Sequence, residues 1–421
     1  MLNRNIAPEV TDYFVLDLPV PQVHTLDNGI PVYETRMGTQ DILKTEILFY
    51  AGRPAESKRM TARATAALLQ EGTASYTSED IAEKVDFYGG TLSIPVNLDG
   101  SNIILYSLTK HFEKLLAVTA EIITQPLFPA DELEAFIERN VQRLAVDLTQ
   151  GDVVAYRKVT EFIFGESHVY GYNSSEEDYR ALTRADLQQH FQHNYHAGNC
   201  KIFISGKTEA RHIDLLNQYL GRSIPAGTFV QLYEPPQFYP PQKVKISHPD
   251  SLQTAVRIGR RAFNRSHPDF NGMFVLNTVL GGYFGSRLMT NIREDKGYTY
   301  NIFSSLDPMM HDGCFYIGTE VGNEFTEKTV KEIHAEMRRL REELIDPTEL
   351  KMVKNYLLGN MLTMLDGAFN VSDVIKTYIA EDLPTDKFYE LTDDIRNITA
   401  TDLQRLAQKY LRPEEMWEVI V

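Results

Sequence analysis

One order of elements occurs twice along the chain, and this repetition limits the folds open to it. Residues 22–35 (QVHTLDNGIPVYET) alternate in polarity around Asp27-Asn28-Gly29, which predicts a hairpin. Residues 43–50 read as a further strand. Helices are expected over 59–70 and 78–88, with Thr77-Ser78 as a cap ahead of Glu79 and Asp80. Alternating strands follow at 91–98 and 102–108, then helical periodicity over about 111–194, then a strand at 200–205. The second half has strands at 243–247 and 253–260 and helices at 268–281 and 286–294. It continues with strands at 299–305 and 313–320, helices through 324–410 and a closing strand at 416–421. The strands starting at 91, 102 and 200 match those at 299, 313 and 416, offsets of 208, 211 and 216. A repeat of about 200 residues is too long for a solenoid.

The expectation is an α+β protein of two homologous domains from internal duplication, each an antiparallel sheet with helices packed on one face. The first domain would span 1–220, a Pro-rich linker 221–242 and the second domain 243–421. The linker's PPQFYPPQ at 235–242 holds four prolines, which cannot continue a helix or a central strand.

Composition narrows the function classes. The formal net charge is −16 and there is no Lys/Arg-rich run, which argues against general nucleic-acid binding. No stretch approaches 18 uncharged apolar residues, so no membrane span is expected. The opening MLNRNIAPEVTDYF has no apolar core behind a basic start, and the only cysteines, Cys200 and Cys314, allow at most one disulfide. These features point to a cytoplasmic protein.

Four local motifs, in this order, carry a resemblance over nearly the whole chain. They are LDNGIPVYE (26–34), AGRPAE (51–56), EGTASYTSEDI (71–81) and SRLMTNIREDKGYTYNIFSS (286–305). On a duplicated frame, this set resembles the insulinase/pitrilysin metallopeptidase family, particularly its short members such as the mitochondrial processing peptidase subunits and their bacterial relatives. Active members carry HxxEH on the helix before the Gly-Thr that Gly72 and Thr73 match here. Histidines at i and i+4 share a helical face and can hold one zinc, with the Glu as general base. The corresponding positions here are Arg63, Ala66 and Ala67. The family's third ligand, a Glu on a later helix, falls at 143–145, which holds Arg143, Leu144 and Ala145. The resemblance therefore implies no metal in this chain.

The second half keeps a different family feature. SRLxxxIRExxGxxY is matched by Ser286, Arg287, Leu288, Ile292, Arg293, Glu294, Gly297 and Tyr300. By resemblance, Arg293 donates to a substrate carbonyl and Tyr300 to the substrate or the oxyanion of the tetrahedral intermediate. Thr299 stands where the motif usually has Ala. The competing bland reading pairs Arg293 with Glu294 or Asp295 and makes Tyr300 a half-buried strand aromatic. Gly281, Gly282 and Gly285 resemble the family's glycine-rich loop; a substrate-admitting loop and a helix stop with a tight turn both remain open.

Other signals are weaker. His190, His193 and His196 sit three apart, but no acid or Cys completes a ligand set. Ser205-Gly206-Lys207-Thr208 ends like a phosphate loop, yet Lys201 stands where the first Gly belongs. Glu176, Glu177 and Asp178 read as a solvated loop, and Cys200 and Trp417 as core.

In some bacterial members of the family, one chain brings HxxEH and the other brings the Arg/Tyr pair. The resemblance thus implies a non-catalytic, zinc-free, substrate-binding subunit of a heterodimeric peptidase, inactive alone. Zinc would sit on an HxxEH-bearing partner, and peptides would be the substrate. The alternative is a catalytically inactive scaffold subunit of a larger assembly.

Overall fold

The computed structural model describes residues 15–229, 233–234, 236–247 and 251–421. Residues 1–14, on which the reading of the opening segment rested, and Pro235 of the linker lie outside the described residues. The first half builds a sheet from β1 (Gln22–Thr25), β2 (Pro31–Arg36), β3 (Ile42–Phe49), β4 (Thr91–Ser93), β5 (Ser101–Leu108) and β6 (Cys200–Gly206). Its spatial order is β1-β2-β6-β3-β5-β4. The second half builds one from β7 (Lys243–Lys245), β8 (Gln253–Arg261), β9 (Ile302–Pro308), β10 (Gly313–Gly322) and β11 (Trp417–Ile420). Its order is β7-β11-β8-β10-β9.

Without β1, the two orders correspond strand for strand. Both also contain the same parallel pair, β2–β6 in one and β7–β11 in the other, with antiparallel pairing elsewhere. The expected antiparallel sheets thus each carry one parallel pair. The cause is topological: the closing strand returns after a long helical crossover and enters beside the first strand in the same direction. The duplication extends to helix caps. Thr183 and Asp186 form a reciprocal capping box, and so do Thr399 and Asp402, each 216 residues further on. The expected cap at Thr77 is a capping box with Asp80.

Each sheet packs one face against its own half's helices. On β8 and β10, Val256, Ile258, Phe315 and Ile317 join the second half's core. The alternate residues point the other way, because side chains in a strand have period two. There Ala255, Cys314, Tyr316, Trp417 and Val419 bury Ala155, Val159 and Ile163 of the helix Gly151–Phe164, which belongs to the first half. The exchange is reciprocal. The helix Ala368–Ala380, from the second half, covers the free face of the first sheet.

That second contact is ionic where the first is apolar. Lys44 and Glu46, in the middle of β3, are nearly inaccessible and meet Asp373 (2.5 Å) and Lys376 (2.7 Å). Lys201 donates to Ile379 O (2.8 Å) and the Tyr50 hydroxyl to Ala380 O (2.7 Å). The expectation of helices on one face is therefore corrected: the second face of each sheet is closed by a helix from the other half. Leu16 and Leu18 likewise pack into the second half's core, and Leu18 N donates to the Tyr389 hydroxyl. Cys200 and Cys314 are buried free thiols in different sheets, so the one possible disulfide does not form.

Just past the exchanged helix, Glu381 pairs with Arg265 and borders a 270 Å³ cavity between the halves, with Asp99, Tyr50 and Met310 among its walls. Burial raises Glu381 to about 7 against the pull of Arg265, and Asp99 adds to the rise. Asp99 is itself raised by burial, although it accepts from the Tyr170 hydroxyl and from Met310 N (3.1 Å). A carboxyl whose folded pKa exceeds its unfolded value stabilises below the unfolded pKa. That contribution is lost as pH rises through about 7. Urea unfolding at pH 5 and pH 8 should show the wild type losing about 2 kcal/mol relative to Glu381→Gln over this interval. A difference that does not change with pH would contradict this account.

Candidate functional site

The wide turn Met289–Asp295 and the loop after it bring Arg293 and Tyr300 together. Lys296 N donates to Asn291 O five residues back (3.2 Å) and Tyr298 N to Ile292 O (3.0 Å), so the helix loosens at its end. Gly297, at φ +64°, then turns the chain towards β9. This strand was expected to begin at 299 but begins at Ile302, which leaves Tyr300 in the approach loop. Thr299 fixes that loop: its hydroxyl donates to Glu320 O (2.6 Å), and Asn301 N donates back to it (3.2 Å). The residue that departs from the family motif therefore has a positioning contact of its own.

Tyr300 is 86% exposed, which removes its reading as a half-buried strand aromatic. The Arg293 guanidinium carbon lies 5.1 Å from the Tyr300 ring centroid and 4.7 Å from that of Phe284. Among the described residues no carboxylate pairs with Arg293, despite Glu294 and Asp295 beside it in sequence. A guanidinium over aromatic faces keeps its in-plane N–H groups available to a carbonyl or carboxylate. Phe284 was not singled out in the sequence. Its only signal there is a large apolar residue inside a run of glycines, and it is 61% exposed.

The glycine-rich segment is rigidly held. Arg287 makes a two-pronged contact with Glu349 at 2.8 Å on each side, and Tyr283 packs against Tyr356 with centroids 4.7 Å apart. At Gly281 a side chain would meet Ser304 N at 2.5 Å and Ser304 Oγ at 2.7 Å, so this glycine lets the turn Thr278–Gly282 lie against β9. Gly282 has more room, its nearest neighbours being Asn277 atoms at 3.2 Å.

The positions of the lost metal motif lie on the helix Thr61–Leu68. Arg63 and Ala67 share its exposed face, while Ala66 is buried at 1% exposure. Arg143 points to solvent near Asp147 (3.8 Å) and Leu144 is buried in the core. These residues do not fit a zinc ion. Among the described residues, no three His, Cys, Asp or Glu side chains are placed to hold a metal.

The remaining sequence signals have structural partners. His190 is buried, has Ala51 O within 3.1 Å and is held down at about 4 by desolvation. His193 lies 2.7 Å from Gln189 O. His190, His193 and His196 do border one 370 Å³ pocket, but without a converging ligand set. Lys207 of the loop-like Ser205–Thr208 segment pairs with Asp41 (2.7 Å). Glu176 to Asp178 open a short helix capped by Ser175, where a solvated loop was expected. Trp417 is core, stacked on Phe162 with centroids 4.9 Å apart.

The structure is a duplicated α+β chain with helices exchanged between its halves and, among the described residues, no group of metal ligands. Residues 181–357, which include Arg293 and Tyr300, match the family described as Peptidase M16 inactive domain. The chain is similar over most of its length to curated bacterial proteins. It is 22% identical over 340 residues to the uncharacterized zinc protease YmxG of Bacillus subtilis, covering 80% of this chain and 81% of that one. It is 20% identical over 402 residues to the probable inactive metalloprotease YmfF of the same organism, covering 88% and 93%. The fold is similar to a crystal structure of a peptidase M16 inactive domain from Pseudomonas fluorescens. That match has a TM-score of 0.87 at 22% identity and covers 95% of this chain and 97% of that one.

If Gly281 serves close packing, Gly281→Ala should lower stability by about 1–3 kcal/mol, read as a shift in the urea midpoint. An unchanged midpoint would return Gly281 to the loop-flexibility reading.

Proposed function

We propose that this chain is the zinc-free, substrate-binding subunit of a two-chain metallopeptidase. A homologous HxxEH-bearing partner would supply zinc and the general base, and Arg293 and Tyr300 would reach the peptide bound between the two chains. One observation carries the proposal. Half-buried Arg293 and exposed Tyr300 stand together, and among the described residues Arg293 has no carboxylate partner, in a chain that holds Arg63, Ala66 and Ala67 where the metal motif would fall. An arginine held between rings keeps its donors for something outside the chain.

In this reading Arg293 orients a substrate carbonyl and the Tyr300 hydroxyl donates to developing negative charge. Such preorganised donors supply roughly 3–4 kcal/mol each to acyl transfer. Gly281 and Gly282 shape the neighbouring turn, and Phe284 keeps the guanidinium in place. The complex would work in the cytoplasm, a setting that the two free buried thiols suit. Among the described residues no helix is long and apolar enough to cross a membrane.

The test is to tag the chain in its own cell, purify it gently and identify co-purifying proteins by mass spectrometry. A near-stoichiometric HxxEH chain of similar length is expected. Peptide turnover by that complex should fall about 100-fold or more in Arg293→Ala and Tyr300→Phe, with assembly intact. Wild-type turnover in both variants would remove the site assignment. A lone homodimer, or a partner without a peptidase motif, would establish the scaffold reading instead.

A further inference from the structure

The helix face that lost the metal ligands opens onto a 620 Å³ pocket, and the charge around that pocket is opposite to that of the chain. The protein carries a net −16, yet Arg53 and Arg63 line this pocket, and Arg59 and Arg157 contact its wall residues Tyr172 and Ser174. Among the described residues none of the four pairs with a carboxylate within 4.0 Å. Elsewhere in the chain Arg180, Arg260, Arg261, Arg265 and Arg287 all do.

Three of the four are fixed by neutral groups. Arg53 lies over the Tyr172 ring at 4.2 Å and donates through one nitrogen to Val169 O (3.2 Å) and Tyr172 O (3.0 Å). Arg59 lies over the same ring at 5.1 Å and donates to Glu166 O. Arg157 donates to Ser174. Arg63 is exposed on the pocket wall with no acceptor of its own among the described residues. The pocket's one carboxylate, Glu56, is occupied on both oxygens, by the Tyr172 hydroxyl (2.5 Å) and Ala62 N (2.9 Å). Burial raises its pKa, against the pull of the Tyr172 hydroxyl, Ala62 N and nearby Arg53.

We propose that this pocket is a carboxylate site, in which Arg63 and Arg53 receive the C-terminal carboxylate of a peptide segment. Charge calls for an anion, and the rest of the lining selects a peptide over a bare ion. Ile94, Val96 and Leu98 add apolar lining to the pocket that Arg53 and Arg63 share. A volume of 620 Å³ holds a few residues rather than one small ion. The guanidinium fork matches a carboxylate through two parallel N–H donors. In effect, a cation site in active relatives has become an anion site here. This inference is independent of the two-chain reading, because it is tested on the isolated chain.

The experiment is calorimetry on the full chain at low salt with three probes: an apolar pentapeptide with a free C-terminus, its C-terminal amide, and inorganic phosphate. The free acid should bind at least about tenfold more tightly than the amide, and Arg63→Glu should weaken the acid about tenfold while Arg63→Lys retains part of it. Arg63 is exposed, so both variants should keep the wild-type thermal midpoint; Arg63→Gln replaces Arg63→Glu if that one does not fold. Equal binding of acid and amide, no binding of the acid, or unchanged affinity in the folded charge variant would overturn the proposal. Phosphate binding without peptide binding would also overturn it, leaving a simple anion site.

Discussion

The structure depends on the mutual exchange of one helix between its halves. A sheet with helices on one face leaves its other face to be covered, and here each half covers the other's. The helix Gly151–Phe164 buries an apolar row against β8, β10 and β11, which draws the halves together. The returning helix Ala368–Ala380 docks through Lys44, Glu46, Asp373 and Lys376 instead. Buried ion pairs add little net stability against apolar replacements, but a misregistered one leaves a charge unpaired. The apolar contact therefore holds the halves together, and the ionic contact penalises a shift of helix against strand.

Much of the architecture was legible because it is written in short-range patterns. The hairpin at Asp27-Asn28-Gly29, the alternation in β5, β8 and β10, and the Thr-x-x-Asp caps all act within a few residues. The recurrence of the strands at 91, 102 and 200 at offsets of 208, 211 and 216 exposed the duplication without any knowledge of contacts. The exchange was not legible for the same reason. An apolar stripe on 151–164 states that a face is buried, not which sheet buries it. Lys44 and Glu46 look like the solvent-facing half of an alternating strand, and only a distant helix with Asp373 and Lys376 explains why they lie inside.

The candidate site divides along the same line. The seven-residue spacing of Arg293 and Tyr300 is a linear motif and was visible. The strand start was misplaced by three residues because Thr299 and Tyr300 have strong strand propensity. The hydroxyl of Thr299 overrides that preference by tying the loop to Glu320 O. Phe284 was missed because its role is set by a guanidinium nine residues further along the chain.

Two arginine environments in this acidic chain share one physical solution. Arg293 lies against Phe284 and Tyr300, and Arg53 against Tyr172, and among the described residues neither has a carboxylate within 4.0 Å. An aromatic face attracts a cation without using its in-plane hydrogens, whereas a carboxylate partner would occupy them. In a chain with 58 acidic residues, such shielding keeps a guanidinium available for an external acceptor. The net charge of −16 repels anions at long range, but beyond roughly 10 Å salt screens that repulsion. Within a walled pocket the nearest guanidiniums dominate. Loss of the metal ligands therefore need not leave an inert surface, because replacing a cation's ligands with Arg63 reverses which charge the pocket favours.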